Sequence, residues 1–289
     1  QELQIFQPYP NLLKMDRYGC IKKSISGNSN MNWGAIASDG NGSNILQFYA
    51  TTTRSNGLMR ISDGLDIDWA KIFRTPRGLL APSVITNLSA GEFITFSDPS
   101  IDEGLISDVI IARHQANGAT QWAKRLHFPG YDYSFSNNMA IIGNRLFTHV
   151  QNSIFLIDHY EIEDQIIAFD LLTGNIICQK RIGQEDHTFY TNDIAAQNGK
   201  LILTGYWDDP QRDPRAFTTI LQMDIDGNIE RAADLVNTDY FNLSPGGTYK
   251  IKDIDGQHFY LQLYGFIAQS VNIDVYHSVI IKMNPDWSM

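Results

Sequence analysis

The chain has only two cysteines in 289 residues, Cys20 and Cys178, so it has no framework of disulfides to staple it together. It also has no run of about 18 apolar residues, the length a membrane-spanning helix needs. Basic residues are scarce: 22 Lys and Arg stand against 32 Asp and Glu, a net charge of −10. A phosphate-backbone partner calls for a concentrated basic face, which disfavours nucleic acid. Gly-x-Ser-x-Gly, His-Glu-x-x-His and a glycine-rich phosphate loop are all missing, so no catalytic residue, cofactor or metal is assigned. Few windows keep apolar residues at helical spacing for three turns, which excludes a helical solenoid.

A short phrase, by contrast, returns six times. Two apolar residues are followed by a variable one, a fourth that is usually apolar, and a fifth able to open a turn. The copies are Leu12-Leu13-Lys14-Met15-Asp16, Leu58-Met59-Arg60-Ile61-Ser62, Ile110-Ile111-Ala112-Arg113-His114, Ile166-Ile167-Ala168-Phe169-Asp170, Ile220-Leu221-Gln222-Met223-Asp224 and Ile280-Ile281-Lys282-Met283-Asn284. Steps between copies run from about 46 to 60 residues, a length that suits one four-stranded sheet with its turns. Glycine follows five copies at or near the turn, as Gly19, Gly64, Gly118, Gly174 and Gly227, and a second apolar run comes next. Each copy therefore reads as a strand, a tight turn and a return strand. Two further strands precede each hairpin, near 32–50, 83–97, 137–151, 191–206 and 248–265.

Four-stranded antiparallel sheets repeated about five times close most economically into a radial array, which leaves only short sheet edges. The expectation is an all-β chain, one β-propeller domain over residues 1–289 with residues 1–11 as an N-terminal arm. Five blades fit best, and six are possible if the chain continues beyond Met289. Closure is expected from Cys20 to Ser26 completing the last sheet, so that N- and C-terminal strands share it. Cys20 and Cys178 then fall on nearly opposite blades and read as buried apolar residues. Trp69 and Trp122, on fourth strands, are expected to pack between neighbouring blades.

Two stretches carry a family resemblance. Asp108-Val-Ile-Ile-Ala-Arg-His-Gln-Ala-Asn-Gly-Ala-Thr-Gln-Trp-Ala-Lys-Arg125 is similar to the SBBP-type repeat of bacterial secreted propellers. Ile166-Ile-Ala-Phe-Asp-Leu-Leu-Thr-Gly-Asn-Ile-Ile177 resembles the repeats of pyrroloquinoline-quinone-like propellers. Asn198-Gly-Lys-Leu-Ile-Leu-Thr-Gly-Tyr206 resembles the second strand of propellers in exported proteins of Bacteroidetes-like bacteria. The resemblance implies a propeller and a secreted or cell-surface location. It implies no activity, since one fold hosts many functions. The start at Gln1 fits a removed signal peptide or a chosen boundary.

The acids are placed unevenly. The connections between second and third strands are the longest, and they carry Asp98, Asp102, Glu103 and Asp108, then Asp158, Glu161, Glu163 and Asp164, then Asp208, Asp209 and Asp213. These connections emerge on one face of a propeller, which makes that face long-looped and acidic. The candidate binding residues are Asp102, Glu103, Tyr160, Glu161, Trp207, Asp208, Asp209 and Asp213. Tyr206-Trp207-Asp208-Asp209 pairs an aromatic platform with hydrogen-bonding acids, a combination that suits a sugar. Asp224, like Asp16 and Asp170, is expected to bond turn amides rather than a cation.

Two function classes follow. One is a non-catalytic, exported propeller that binds a protein or glycan, without inserting into a membrane. The alternative is a five-bladed polysaccharide-cleaving enzyme with two or three carboxylates around a central channel. First-strand candidates for that channel are Asp193 and Asp253, with Asn138 and Thr86 at other blades.

Overall fold

A computed structural model describes residues 11–15, 21–26, 31–38, 42–50, 55–72, 74–75, 78–99, 108–129, 133–135, 138–155, 160–184, 187–207, 218–235, 242–253, 258–267, 275–284 and 287. Among these residues, apart from one 3₁₀ turn at Ser89–Gly91, every regular element is a strand and every ladder is antiparallel. The chain divides into two compact units, Gln1–Pro129 and Gly130–Met289.

In the first unit, β1 (Asn11–Met15) and β2 (Ile21–Ser26) form a two-stranded sheet. β3 (Met31–Ser38), β4 (Ser43–Ala50), β5 (Ser55–Ser62) and β6 (Ile67–Ile72) form a four-stranded one in chain order. A third sheet holds β8 (Gly78–Asn87), β9 (Phe93–Pro99), β10 (Asp108–His114) and β11 (Thr120–His127), with short β7 (Arg74–Thr75) at its edge.

In the second unit, β12 (Tyr133–Phe135) and β13 (Met139–Ile142) share the first-strand position beside β14 (Arg145–Phe155), followed by β15 (Tyr160–Asp170) and β16 (Ile176–Gln184). A two-residue ladder joins β16 to β17 (His187–Gln197), which starts the next four strands with β18 (Lys200–Trp207), β19 (Thr218–Met223) and β20 (Ile229–Leu235). β21 (Asn242–Asp253), β22 (Phe259–Ile267) and β23 (Val275–Met283) form a three-stranded sheet.

The repeated phrase thus falls on β5, β10, β15, β19 and β23, each the third strand of its four-strand set, and on β1. In β5, β15 and β19 its apolar pair is buried because the strand is packed on both faces: Leu58, Ile166, Ile167, Ile220 and Leu221 are all at 0% exposure. Fourth strands alternate and stay largely exposed, as β6, β11 and β20 do. All five third-to-fourth hairpins share one register shift just before the turn. The turn glycines Gly118, Gly174 and Gly227 take φ of 74°, 69° and 79°, the left-handed region a side chain resists. Asp170 Oδ1 accepts the amides of Leu172 and Thr173, and Asp224 Oδ1 those of Asp226 and Asn228, so both acids cap their turns as expected.

Hairpin turns also rest on the sheet before them. Gly118 packs against the Trp69 ring, whose Nε1 donates to Ala116 O at 2.9 Å. Gly227 lies against Lys180, whose Nζ reaches Asn228 Oδ1 at 2.6 Å. Trp69 further stacks on Phe93 of the following sheet at 6.1 Å, the inter-sheet role expected of it.

First strands share a different feature. Four of them carry one residue too many at one point of the ladder: between Trp33 and Ile36, between Pro82 and Val84, between Thr191 and Asp193, and between Thr248 and Lys250, and β21 has three more between Leu243 and Thr248. Such a bulge bends the strand and re-aims the side chain beside it.

One expectation requires correction and another is not met among the described residues. Ile21–Ser26 pairs with β1, and a ladder joining it to the last sheet is not found among the described residues. Tyr160, Glu161, Glu163 and Asp164 are not in a connection but in β15, paired with Phe155, Ile154, Asn152 and Gln151 of β14. Their polar spelling imitates a loop, whereas β14 and β15 continue as a long polar hairpin.

Candidate functional site

Of the residues expected at a binding face, Asp102, Glu103, Asp208, Asp209 and Asp213 lie outside the described residues. Trp207 closes β18 and turns inward: its ring meets buried Phe189 edge-on, with centroids 5.0 Å apart, and it packs on the apolar cluster of Phe147, Ile166, Ile194 and Leu203. It is an anchor more than an open platform. The aromatic pair on the other side of the same two strands is Tyr190 and Tyr206, stacked at 4.8 Å with planes 17° apart, and both are partly exposed. Cross-strand pairing produces this stack, since Tyr190 sits opposite Tyr206. Gly205 beside it admits no side chain, because a Cβ would lie 2.0 Å from Tyr190 O.

A buried polar seam runs along the first, second and third strands of this unit. Thr148, His149, Gln151, Asn152, Asp164, Thr191, Asp193 and Thr204 are all buried. Asp164 Oδ2 accepts the Thr191 amide at 2.5 Å and Gln151 Nε2 at 3.2 Å, and Gln151 Nε2 also reaches Thr191 O at 3.1 Å. Its other oxygen, Oδ1, stands 3.6 Å from His149 Nδ1, with both side chains fully buried. Asp193 Oδ1 accepts Asn138 Nδ2 at 2.7 Å and the Ile194 amide at 2.9 Å, while Oδ2 accepts the Ile251 amide at 2.6 Å. Burial pushes the Asp193 carboxyl above its ordinary range, against the Ile251 amide, which favours the charged form.

The seam is built as a pair of clamps. Asp164 of one sheet holds the first strand of the next, and Asp193 of that sheet joins Asn138 behind it to Ile251 ahead. Two channel candidates from the sequence, Asn138 and Asp193, are thus brought into direct contact. The side chain of Asp253 is not described, and Thr86 sits partly exposed in β8 of the other unit. His149 and Asp164 gave no sequence signal of their own, since each is one polar residue in a polar hairpin. Among the described residues, no group of three or more His, Cys, Asp or Glu side chains is placed to hold a metal ion.

No protein-family model matches the chain, and no curated protein matches it in sequence. Solved structures do. A protein of unknown function from Bacteroides caccae superposes with a TM-score of 0.54 at 9% identity, covering 97% of this chain and 92% of that one. The β-propeller domain of the Trilobed protease from Pyrococcus furiosus, described as having an open velcro topology, gives 0.52 at 10% identity, covering 96% and 75%. The fold is a β-propeller. At such identities the likeness concerns the fold alone. In propeller terms β12–β16, β17–β20 and β21–β23 are successive blades, and the polar seam follows the first, second and third strands of the first two.

Proposed function

We propose that the chain is a non-catalytic, exported propeller of five blades, forming one domain, that binds a protein or glycan at the long-connection ends of its blades. The observation that carries this reading is the Tyr190–Tyr206 stack, partly exposed where β18 runs into the connection 208–217. Stacked tyrosines offer a rigid amphipathic face, and Asp208, Asp209 and Asp213 follow directly in sequence to supply acceptors. The acids around 98–108 belong to the same kind of connection and extend the surface for a basic partner. A secreted or cell-surface location is consistent with the resemblance to exported propellers. The described carboxylates of the seam support clamping rather than hydrolysis, because backbone amides occupy both oxygens of Asp193 and one of Asp164.

The test is a pull-down from the native envelope or medium together with a glycan array. Tyr206→Ala and joint neutralisation of Asp102, Glu103, Asp208 and Asp209 should each weaken capture, the second also flattening its salt dependence. A partner captured equally well by both variants would place binding elsewhere.

A further inference from the structure

In an Asn-Gly pair the main-chain amide can attack the carboxamide before it, because glycine has no side chain to cover its nitrogen. The chain has four such pairs, Asn41-Gly42, Asn56-Gly57, Asn117-Gly118 and Asn198-Gly199. Asn41 lies outside the described residues, and the fold treats the other three differently.

Asn56 is buried within β5, where Gly57 is enclosed by the Phe48 ring and Lys71 O. Asn117 tips a hairpin, but its Oδ1 accepts the Ala119 amide at 2.9 Å, and the Gly118 amide donates to Gln115 O at 2.8 Å. Both reacting groups are engaged there. Asn198-Gly199 is the whole connection between β17 and β18, with φ of 49° and 73°, positive at both positions as a type I′ turn requires. The ladder closes on Gln197 and Lys200, so the Gly199 amide falls outside it. Among the described residues, neither that amide nor the Asn198 carboxamide has a hydrogen-bond partner. Both residues are exposed, and nothing lies within 4 Å of where a Gly199 side chain would begin.

We propose that Asn198 is a deamidation site of the folded chain, the one of the three described Asn-Gly pairs whose reacting groups stand free in solvent. The Gly199 nitrogen bonds to Asn198 Cγ and gives up its proton. The bond from Cγ to the carboxamide nitrogen breaks, and ammonia leaves. Water then opens the resulting succinimide at one of its two carbonyls, giving aspartate or isoaspartate, with no oxidant or reductant involved. Either product adds a negative charge two residues from Lys200, which pairs with Glu230 at 2.5 Å. Isoaspartate also puts an extra methylene into a connection only two residues long.

Folded protein kept in mildly alkaline buffer should accumulate aspartate and isoaspartate in the peptide that carries residue 198, read by peptide mapping with mass spectrometry. The peptides of Asn56 and Asn117 should stay intact over the same period. In urea all three should react, because unfolding removes the burial and hydrogen bonds that separate them. An Asn198 that survived in the folded chain while reacting in urea would show that the turn protects it, and the proposal would fail. It would fail equally if Asn117 or Asn56 reacted as fast as Asn198 in the folded chain.

Discussion

His114 ends the third strand of its sheet with its imidazole enclosed, stacked on Phe93 at 4.8 Å, with Nε2 3.0 Å from Thr95 Oγ1 and Nδ1 3.3 Å from Thr120 Oγ1. Burial, with a smaller push from Lys71, lowers its pKa from 6.5 to about 4. The unfolded chain therefore takes up a proton first as pH falls. Stability from this group is complete above pH 6.5 and is lost between 6.5 and about 4, by on the order of 3 kcal/mol. Denaturant melts at pH 7 and pH 5 should show about 2 kcal/mol of that loss in the parent chain and much less of it in His114→Gln; an equal fall in both would mean that other groups govern the acid limb. Asp193 has the opposite sign. Its carboxyl is raised by burial, so it becomes less favourable to the fold as pH rises through its titration, yet its removal is costly. Asp193→Ala leaves the buried amides of Ile194 and Ile251 without their acceptor and should destabilise by about 3 kcal/mol or more. Asp193→Asn, which keeps an acceptor, should cost less in the same urea titration.

The hairpin closing each sheet was the most legible element, because apolar pair, turn-opening residue and glycine lie within a few residues of one another. That phrase locates third strands and turns without any tertiary information. Gly174→Val tests it directly: a β-branched residue at φ 69° should destabilise by about 1–2 kcal/mol in a thermal melt. No loss would mean that the turn tolerates a right-handed backbone. The polar hairpin of β14 and β15 was not legible. Gln151, Asn152, Ser153, Asp164 and Gln165 spell a loop, and they become strand only because their partners come from elsewhere in the chain, such as the Thr191 amide that Asp164 holds. Of the candidate binding residues, sequence placed Trp207 correctly at the exit of a second strand but not its inward turn, which depends on Phe189 opposite it. The Tyr190–Tyr206 stack was within reach of the sequence only through the strand register, since sixteen positions separate the two residues.

Across the whole molecule, the acidic balance and the repeat were visible from the outset, whereas the way the first and last sheets end was not. Counting strands suggested that Cys20 to Ser26 would serve the last sheet; Leu12–Met15 and Ile280–Met283 are two copies of one phrase, and among the described residues β2 pairs with the nearer. The surplus residue of the first strands has a different kind of consequence. β3, β8, β17 and β21 share little side-chain identity at that point, yet each inserts a single residue there, so the repeat is held in chain length as much as in chemistry. A substitution of Asn192 should therefore be mild, while its deletion should be ruinous. Shortening the strand would straighten the ladder and turn residues 187–191 to the other face, carrying Phe189 out of the core and the Thr191 amide away from Asp164. Expression and folding of the Asn192→Ala and Asn192-deleted chains, compared side by side, would show whether the number of residues or their identity is what each inner strand must preserve.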